Sequence, residues 1–156
     1  MKSVVKNLVD ILKEKNLTIA LAESVTCGLA THQLNTVKGT SDILIGSIVC
    51  YNENVKKTVL GVNATLIKKF TTESKQVTNA LVKNLKRLFN AKIYVAITGL
   101  ASPGASEKKS KPVGTIFFSI LYKKRLFHSK KKFTGSPLEI KKKSCKYLYE
   151  FLVSIL

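Results

Sequence analysis

The stretch Lys92 to Thr98, Lys-Ile-Tyr-Val-Ala-Ile-Thr, narrows the folds open to this chain more than any other. Its inner residues, Ile93 to Ile97, are all apolar and lack the alternation of a half-exposed strand, and the run is too short for a buried helix. A strand covered on both faces belongs inside a sheet flanked by helices. Thr18-Ile19-Ala20-Leu21-Ala22 is a second run of this kind. Both end in small residues. Ser24 stands just past the first, and Gly99-Leu100-Ala101-Ser102-Pro103-Gly104 follows the second directly.

The segments around these runs complete a βα alternation. Val4, Val5, Leu8, Val9, Ile11 and Leu12 recur at helical spacing and predict a first helix ending near Lys15-Asn16. A helix is expected from Thr26 to about Leu34, with Thr26 supplying its cap oxygen. Ile43 to Cys50 reads as a strand broken by Gly46, and Tyr51-Asn52-Glu53-Asn54 turns out of it. Helices follow over Val55–Leu60, Ala64–Phe70 and Glu73–Phe89. Ala105 to Lys111 is polar and predicts a mobile surface loop. Val113–Tyr122 and Arg125–Phe133 form a hairpin about Lys123-Lys124, and Pro137 opens a last helix to about Val153. The order predicts a single α/β domain over residues 1–156, three α/β/α layers around a mixed, mostly parallel sheet. In such sheets ligands bind beyond the C-terminal ends of the parallel strands, where Ser24 and the Gly99 loop both fall.

Composition excludes several classes. The 27 Lys and Arg against 9 Asp and Glu give a formal charge of +18, attractive to anions in general. The lysines are scattered and no aromatic stripe interleaves them, so a nucleic-acid module is not expected. Cys27, Cys50 and Cys145 are odd in number with no short paired spacing, against a disulfide framework or C-x-x-C metal site. His32 and His128 lie far apart without carboxylates at ligand spacing, so no metal is expected. Met1 to Glu14 has no continuous apolar core of a signal peptide, and no apolar run reaches the ~18 residues of a membrane helix. A cytoplasmic protein without membrane attachment is expected.

Ser24 can serve as a turn or cap residue, or as a nucleophile if a base takes its proton. Neither histidine stands at an obvious strand end, so the base would be a lysine with its pKa lowered by burial and positive surroundings. The residues alone choose no lysine among the many.

Six segments in order carry a resemblance: Ala22-Glu23-Ser24-Val25-Thr26-Cys27-Gly28, Gly39-Thr40-Ser41, Tyr51-Asn52-Glu53-Asn54-Val55-Lys56, Leu60-Gly61-Val62, Thr98-Gly99-Leu100-Ala101-Ser102-Pro103-Gly104, and Lys111-Pro112-Val113-Gly114-Thr115. The chain resembles the CinA C-terminal domain family, similar to amidases that convert nicotinamide mononucleotide (NMN) to nicotinate mononucleotide and ammonia. The resemblance implies a hydrolase of pyridine nucleotide salvage, without metal or redox cofactor, forming a homo-oligomer. It implies Ser24 as nucleophile with Tyr51 and Lys56 assisting, and the backbone amides of Thr26, Cys27 and Gly28 as oxyanion donors. The substrate and its phosphate would lie against Thr98, Gly99, Leu100, Ala101, Ser102, Pro103 and Gly104. Lys141 is a candidate phosphate ligand beside the alternative of a solvated helix face.

The chain departs from the family pattern in four places. Val25 stands where the family has cysteine, and Cys27 and Ser102 stand where it has glycine. Gly135-Ser136-Pro137 replaces Gly-Asp-Arg, removing an arginine. Cys27 is expected to be a small buried residue, beside the alternative of a reactive thiol at a helix N-terminus. These departures motivate a second reading, a nucleotide-binding domain that does not catalyse. Longer family members carry a preceding domain, whose activity is not expected of these residues.

Overall fold

Alternating residues of β1 (Ile19–Glu23) and β3 (Ile93–Gly99) divide the interior in two. The computed structural model describes residues 2–156. The sheet order is β2-β1-β3-β4-β5, with β2 at Leu44–Val49, β4 at Thr115–Tyr122 and β5 at Arg125–Lys132. β2, β1 and β3 run parallel, while β4 and β5 add an antiparallel hairpin. On one face Ile19, Leu21, Val95, Ile97, Phe118 and Ile120 join Leu8 and Leu12 of α1 (Lys2–Glu14) and Leu148 and Leu152 of α6 (Pro137–Ile155) in one core. Ala30 and Leu34 of α2 (Leu29–Asn35) join the same core. On the other face Ala20, Ala22 and Ala96 meet Val77 and Leu81 of α5 (Lys75–Asn84) and Ile67 of α4 (Ala64–Phe70). Alanines on that face let α5 approach the sheet closely, so the expected three layers are what the chain forms.

Local details differ from the sequence expectation for identifiable reasons. The helix expected over Glu73–Phe89 begins at Lys75, where Ser74 caps it by accepting from the Val77 amide at 3.3 Å. It ends at Asn84, before a 3-10 turn over Leu85–Arg87. Gly46 does not break β2: a Cβ there would lie 2.7 Å from Phe89 Cε1, so the glycine makes room for that ring. The irregularity falls at Ile45, passed over between the pairs Ile19–Leu44 and Ala20–Gly46. Lys123 and Lys124 both adopt left-handed backbone, φ 47° and 64°, as a two-residue hairpin turn requires. The segment after Gly104 is anchored: Lys111 is buried, and its Nζ donates to Thr71 Oγ1 at 2.6 Å, Ser106 Oγ at 2.5 Å and the Glu73 carbonyl at 3.0 Å.

The turn from β1 into α2 (the strand-to-helix unit that carries Ser24) is organised by Glu23. Its side chain is completely buried and accepts from Thr26 Oγ1 at 2.7 Å, from Thr31 Oγ1 at 2.5 Å, and from the amides of Gly28, Ala30 and Thr31 at 3.0, 3.1 and 2.8 Å. It makes no ion pair among the described residues. A carboxylate, acceptor at every lone pair, satisfies the first-turn amides that an isolated helix leaves open. This arrangement corrects the expected cap. Thr26 spends its hydroxyl on Glu23, and the helix begins three residues later with Gly28 as its capping residue, φ 92°. Glu23→Gln turns one acceptor oxygen into an NH2 facing donors, and we expect a loss of about 2–3 kcal/mol in urea unfolding. Thr31→Ala, which keeps the carboxylate, should cost only about 1 kcal/mol in the same measurement.

Candidate active site

β1 and β3 end side by side, and their C-terminal ends open on a cleft of about 240 Å³. Its lining includes Ser24, Val25, Tyr51, Glu73, Gly99, Leu100, Ala101, Ser102 and Lys141. Ser24 is 6% exposed and held by its amide, which donates to the Ile97 carbonyl at 3.0 Å. That bond continues the β1–β3 ladder one residue past the strand, and leaves the serine at the mouth of the cleft. Tyr51, just beyond β2, is 68% exposed. On the far wall Gly99 takes φ 155°, and a Cβ there would lie 2.5 Å from the Thr115 carbonyl. Backbone alone fits against β4 at that point. The small residues expected to form a ligand loop do face the cleft as far as Ser102.

The remaining expected residues are placed as follows. Thr98 is fully buried, its hydroxyl 2.7 Å from that of Thr78 under α5, and it does not line the cleft. Neither Pro103 nor Gly104 lines it. The Gly104 and Ala105 amides donate to Glu107 at 2.7 and 2.8 Å, so the loop's own carboxylate occupies the position expected of a phosphate there. These amides hold the Glu107 carboxyl below its usual range. Of the three expected oxyanion amides, Gly28 donates to Glu23 at 3.0 Å and Cys27 to the Ser24 carbonyl at 3.2 Å. Thr26 alone makes no hydrogen bond through its amide among the described residues. Cys27 is exposed rather than buried, with left-handed backbone at φ 51°, strained for a residue with a Cβ.

Lys56, in α3 (Glu53–Thr58), is 1% exposed and does not line the cleft. Its Nζ donates to the carbonyls of Cys50 at 2.6 Å and Tyr51 at 3.0 Å, and makes no hydrogen bond to Ser24. Burial pushes its pKa below 10.5, opposed by the nearby Cys50, Glu73 and Glu53. The two carbonyls that accept from Nζ favour its charged form, so the downward shift is the work of burial. Burial also raises the Cys50 thiol to about 11, keeping it protonated beside Lys56.

Lys141 lies in the first turns of α6 and is half-buried in the cleft wall. The helix end itself is closed by a capping box, in which Glu139 accepts from the Ser136 amide at 2.7 Å. Three residues of consequence carry no separate signal in the chain's patterning. Glu23 is a buried acid inside an apolar run, Glu73 sits before a helix cap, and Lys111 lies in a polar loop. Each acquires its meaning from partners on other segments. Among the described residues no group of three or more His, Cys, Asp or Glu is placed to hold a metal, and no helix is long and apolar enough to cross a membrane.

The molecule has known relatives. A CinA-like protein of Thermotoga neapolitana is 39% identical over 113 residues, covering 72% of this chain and 28% of the relative. The chain spans 28% to 36% of the length of the curated relatives it matches. The crystal structure of competence/damage inducible protein CihA from Agrobacterium tumefaciens superposes with a TM-score of 0.92 at 23% identity, covering 98% of this chain and 93% of that one. A CinA superfamily protein from Escherichia coli superposes with a TM-score of 0.93 at 20% identity, over 99% and 90% of the two chains. At these identities the superpositions establish the fold. Residues 1–156 match the CinA C-terminal domain, so the chain belongs to that family.

Proposed function

We propose that this chain is an amidohydrolase domain that converts NMN to nicotinate mononucleotide and ammonia, through a covalent intermediate on Ser24. The observation that supports it is the position of Ser24, nearly buried at the end of β1 and opening on a cleft whose opposite wall is Gly99 to Ser102. In this reading the Ser24 hydroxyl attacks the carboxamide carbon, and the Thr26 amide, free of other partners, donates to the developing oxyanion. Lys56 is the base in this reading, its pKa lowered by burial. Tyr51 stands beside both: its carbonyl accepts from Lys56 Nζ, the residue lines the cleft, and in this reading its hydroxyl relays the proton between Lys56 and Ser24. Collapse expels ammonia with that proton, and water then frees the acyl group from Ser24. The substrate phosphate lies toward Lys141, the one cation lining the cleft.

A second reading, nucleotide binding without turnover, is favoured by one observation: Lys56 lies outside the cleft and makes no hydrogen bond to Ser24. The first reading expects ammonia release from NMN, reduced at least about a thousandfold in Ser24→Ala. An undiminished Ser24→Ala rate would rule out the mechanism; NMN binding by the wild type without ammonia would establish the second reading.

The lowered pKa of Lys56 sets a pH dependence. With Lys56 as base, kcat/KM rises with pH along a limb whose midpoint lies below 10.5, and Lys56→Met removes the limb and slows the reaction by about a hundredfold or more. The fold disfavours protonation of Lys56, so the unfolded chain binds more protons between the folded pKa and 10.5. Lys56 therefore contributes stability that rises with pH in that window, and Lys56→Met should remove that contribution from the pH dependence of urea unfolding.

A further inference from the structure

Among the described residues Glu73 is the one acid lining the cleft, as Lys141 is the one cation. In a chain with 27 basic and 9 acidic residues, its carboxylate forms no ion pair among the described residues. Two neutral hydroxyls hold it: Oε1 accepts from Thr72 Oγ1 and Oε2 from Ser106 Oγ. Lys111, the buried cation closest in the bonding network, turns its Nζ to the Glu73 carbonyl, Thr71 and Ser106 rather than to the carboxylate. The carboxylate is thus oriented without a direct bond to a cation, although Lys111 reaches it through Ser106 and both Lys111 and Lys56 feel its charge. A carboxylate accepts at about four lone-pair positions, so roughly half are not taken by these two hydroxyls.

An anion fixed in a nucleotide cleft repels phosphate and attracts positive charge. The nicotinamide ring of NMN is a pyridinium and carries that charge next to the carboxamide, while its phosphate carries the opposite charge at the other end. A cleft with one acid and one base in its wall suits such a zwitterion. We propose that Glu73 is the specificity-determining residue of this cleft, selecting a quaternary pyridinium carboxamide over an uncharged aromatic one. This rests on the reading of the cleft as a nicotinamide-nucleotide site. Lys111 and Ser106 are positioning residues, joining the 105–111 segment to the turn before α5 and holding Glu73 in place.

The test uses the full chain carrying Ser24→Ala, so that binding is measured without turnover. Two probes are titrated by calorimetry: NMN, and the 5′-phosphate of benzamide riboside, in which carbon replaces the ring nitrogen and the charge is absent. We expect NMN to bind about tenfold or more tightly than the uncharged probe, the size of a partly screened charge contact. Adding Glu73→Gln should weaken NMN about tenfold, leave the uncharged probe within about twofold, and so erase the preference. Glu73→Asp, which keeps the charge, should retain part of it. Equal weakening of both probes by Glu73→Gln, or a preference that survives it, overturns the proposal while leaving the NMN site standing. If the Ser24→Ala protein binds neither probe and its melting temperature matches wild type, the nicotinamide-nucleotide reading itself fails, and the proposal with it.

Discussion

One buried carboxylate sets the geometry on which the cleft depends. Glu23 ends β1 inside the core without a cationic partner, and five hydrogen-bond donors from the next eight residues converge on it. A buried unpaired charge is costly, and here the cost is offset because the donors include three amides at the start of α2, where the helix dipole also favours an anion. The chain between strand and helix has little freedom left. Ser24 is carried at the C-terminal edge of the sheet, and the strained Cys27 with φ 51° marks how tightly the turn closes.

Around that fixed turn the cleft is built from backbone more than from side chains. Gly99 presses against β4, and the Leu100 amide and carbonyl bond Thr115 at 3.0 Å and Gly114 at 2.6 Å, which pins the far wall to the antiparallel hairpin. Several amides that lie near the cleft are already bound to the chain's own carboxylates, Gly28 to Glu23, Gly104 to Glu107 and Ser136 to Glu139. Those amides are not open to a ligand, and among the described residues the cation in the cleft wall is Lys141. The excess of positive charge on the molecule is mostly remote from this point, so it bears on the general field and little on the chemistry.

The layers were legible because apolar runs such as Ile93–Ile97 have one physical solution, burial on both faces. The position of Ser24 and of residues 99–102 at the strand ends was legible for the same reason: topology, with no side-chain detail, puts them together. Helix boundaries at Thr26 and Glu73 were not, since each depended on which of two competing polar groups took the first-turn amides. Glu23 supplanted Thr26, and Ser74 capped α5 one residue after Glu73. Tyr51 and Lys56, which the resemblance implies as partners of Ser24, are placed differently: the tyrosine lines the cleft, and the lysine folds back on the carbonyls that precede its own helix. Spacing along a turn does not say which acceptor a buried amine will find first. Lys111 was hidden in a similar way, as one buried residue in an otherwise mostly exposed polar segment, with partners in the 71–74 turn and at Ser106.

The proposed chemistry stands or falls on a covalent acyl group at Ser24. Hydroxylamine added during turnover of NMN by the wild-type chain competes with water for such a group, and the product can be read by mass spectrometry. A path through Ser24 yields the hydroxamate of nicotinate mononucleotide in proportion to hydroxylamine, with ammonia still released, and none of it in Ser24→Ala. Nicotinate mononucleotide as the sole product at saturating hydroxylamine, or hydroxamate formed undiminished by Ser24→Ala, would contradict it.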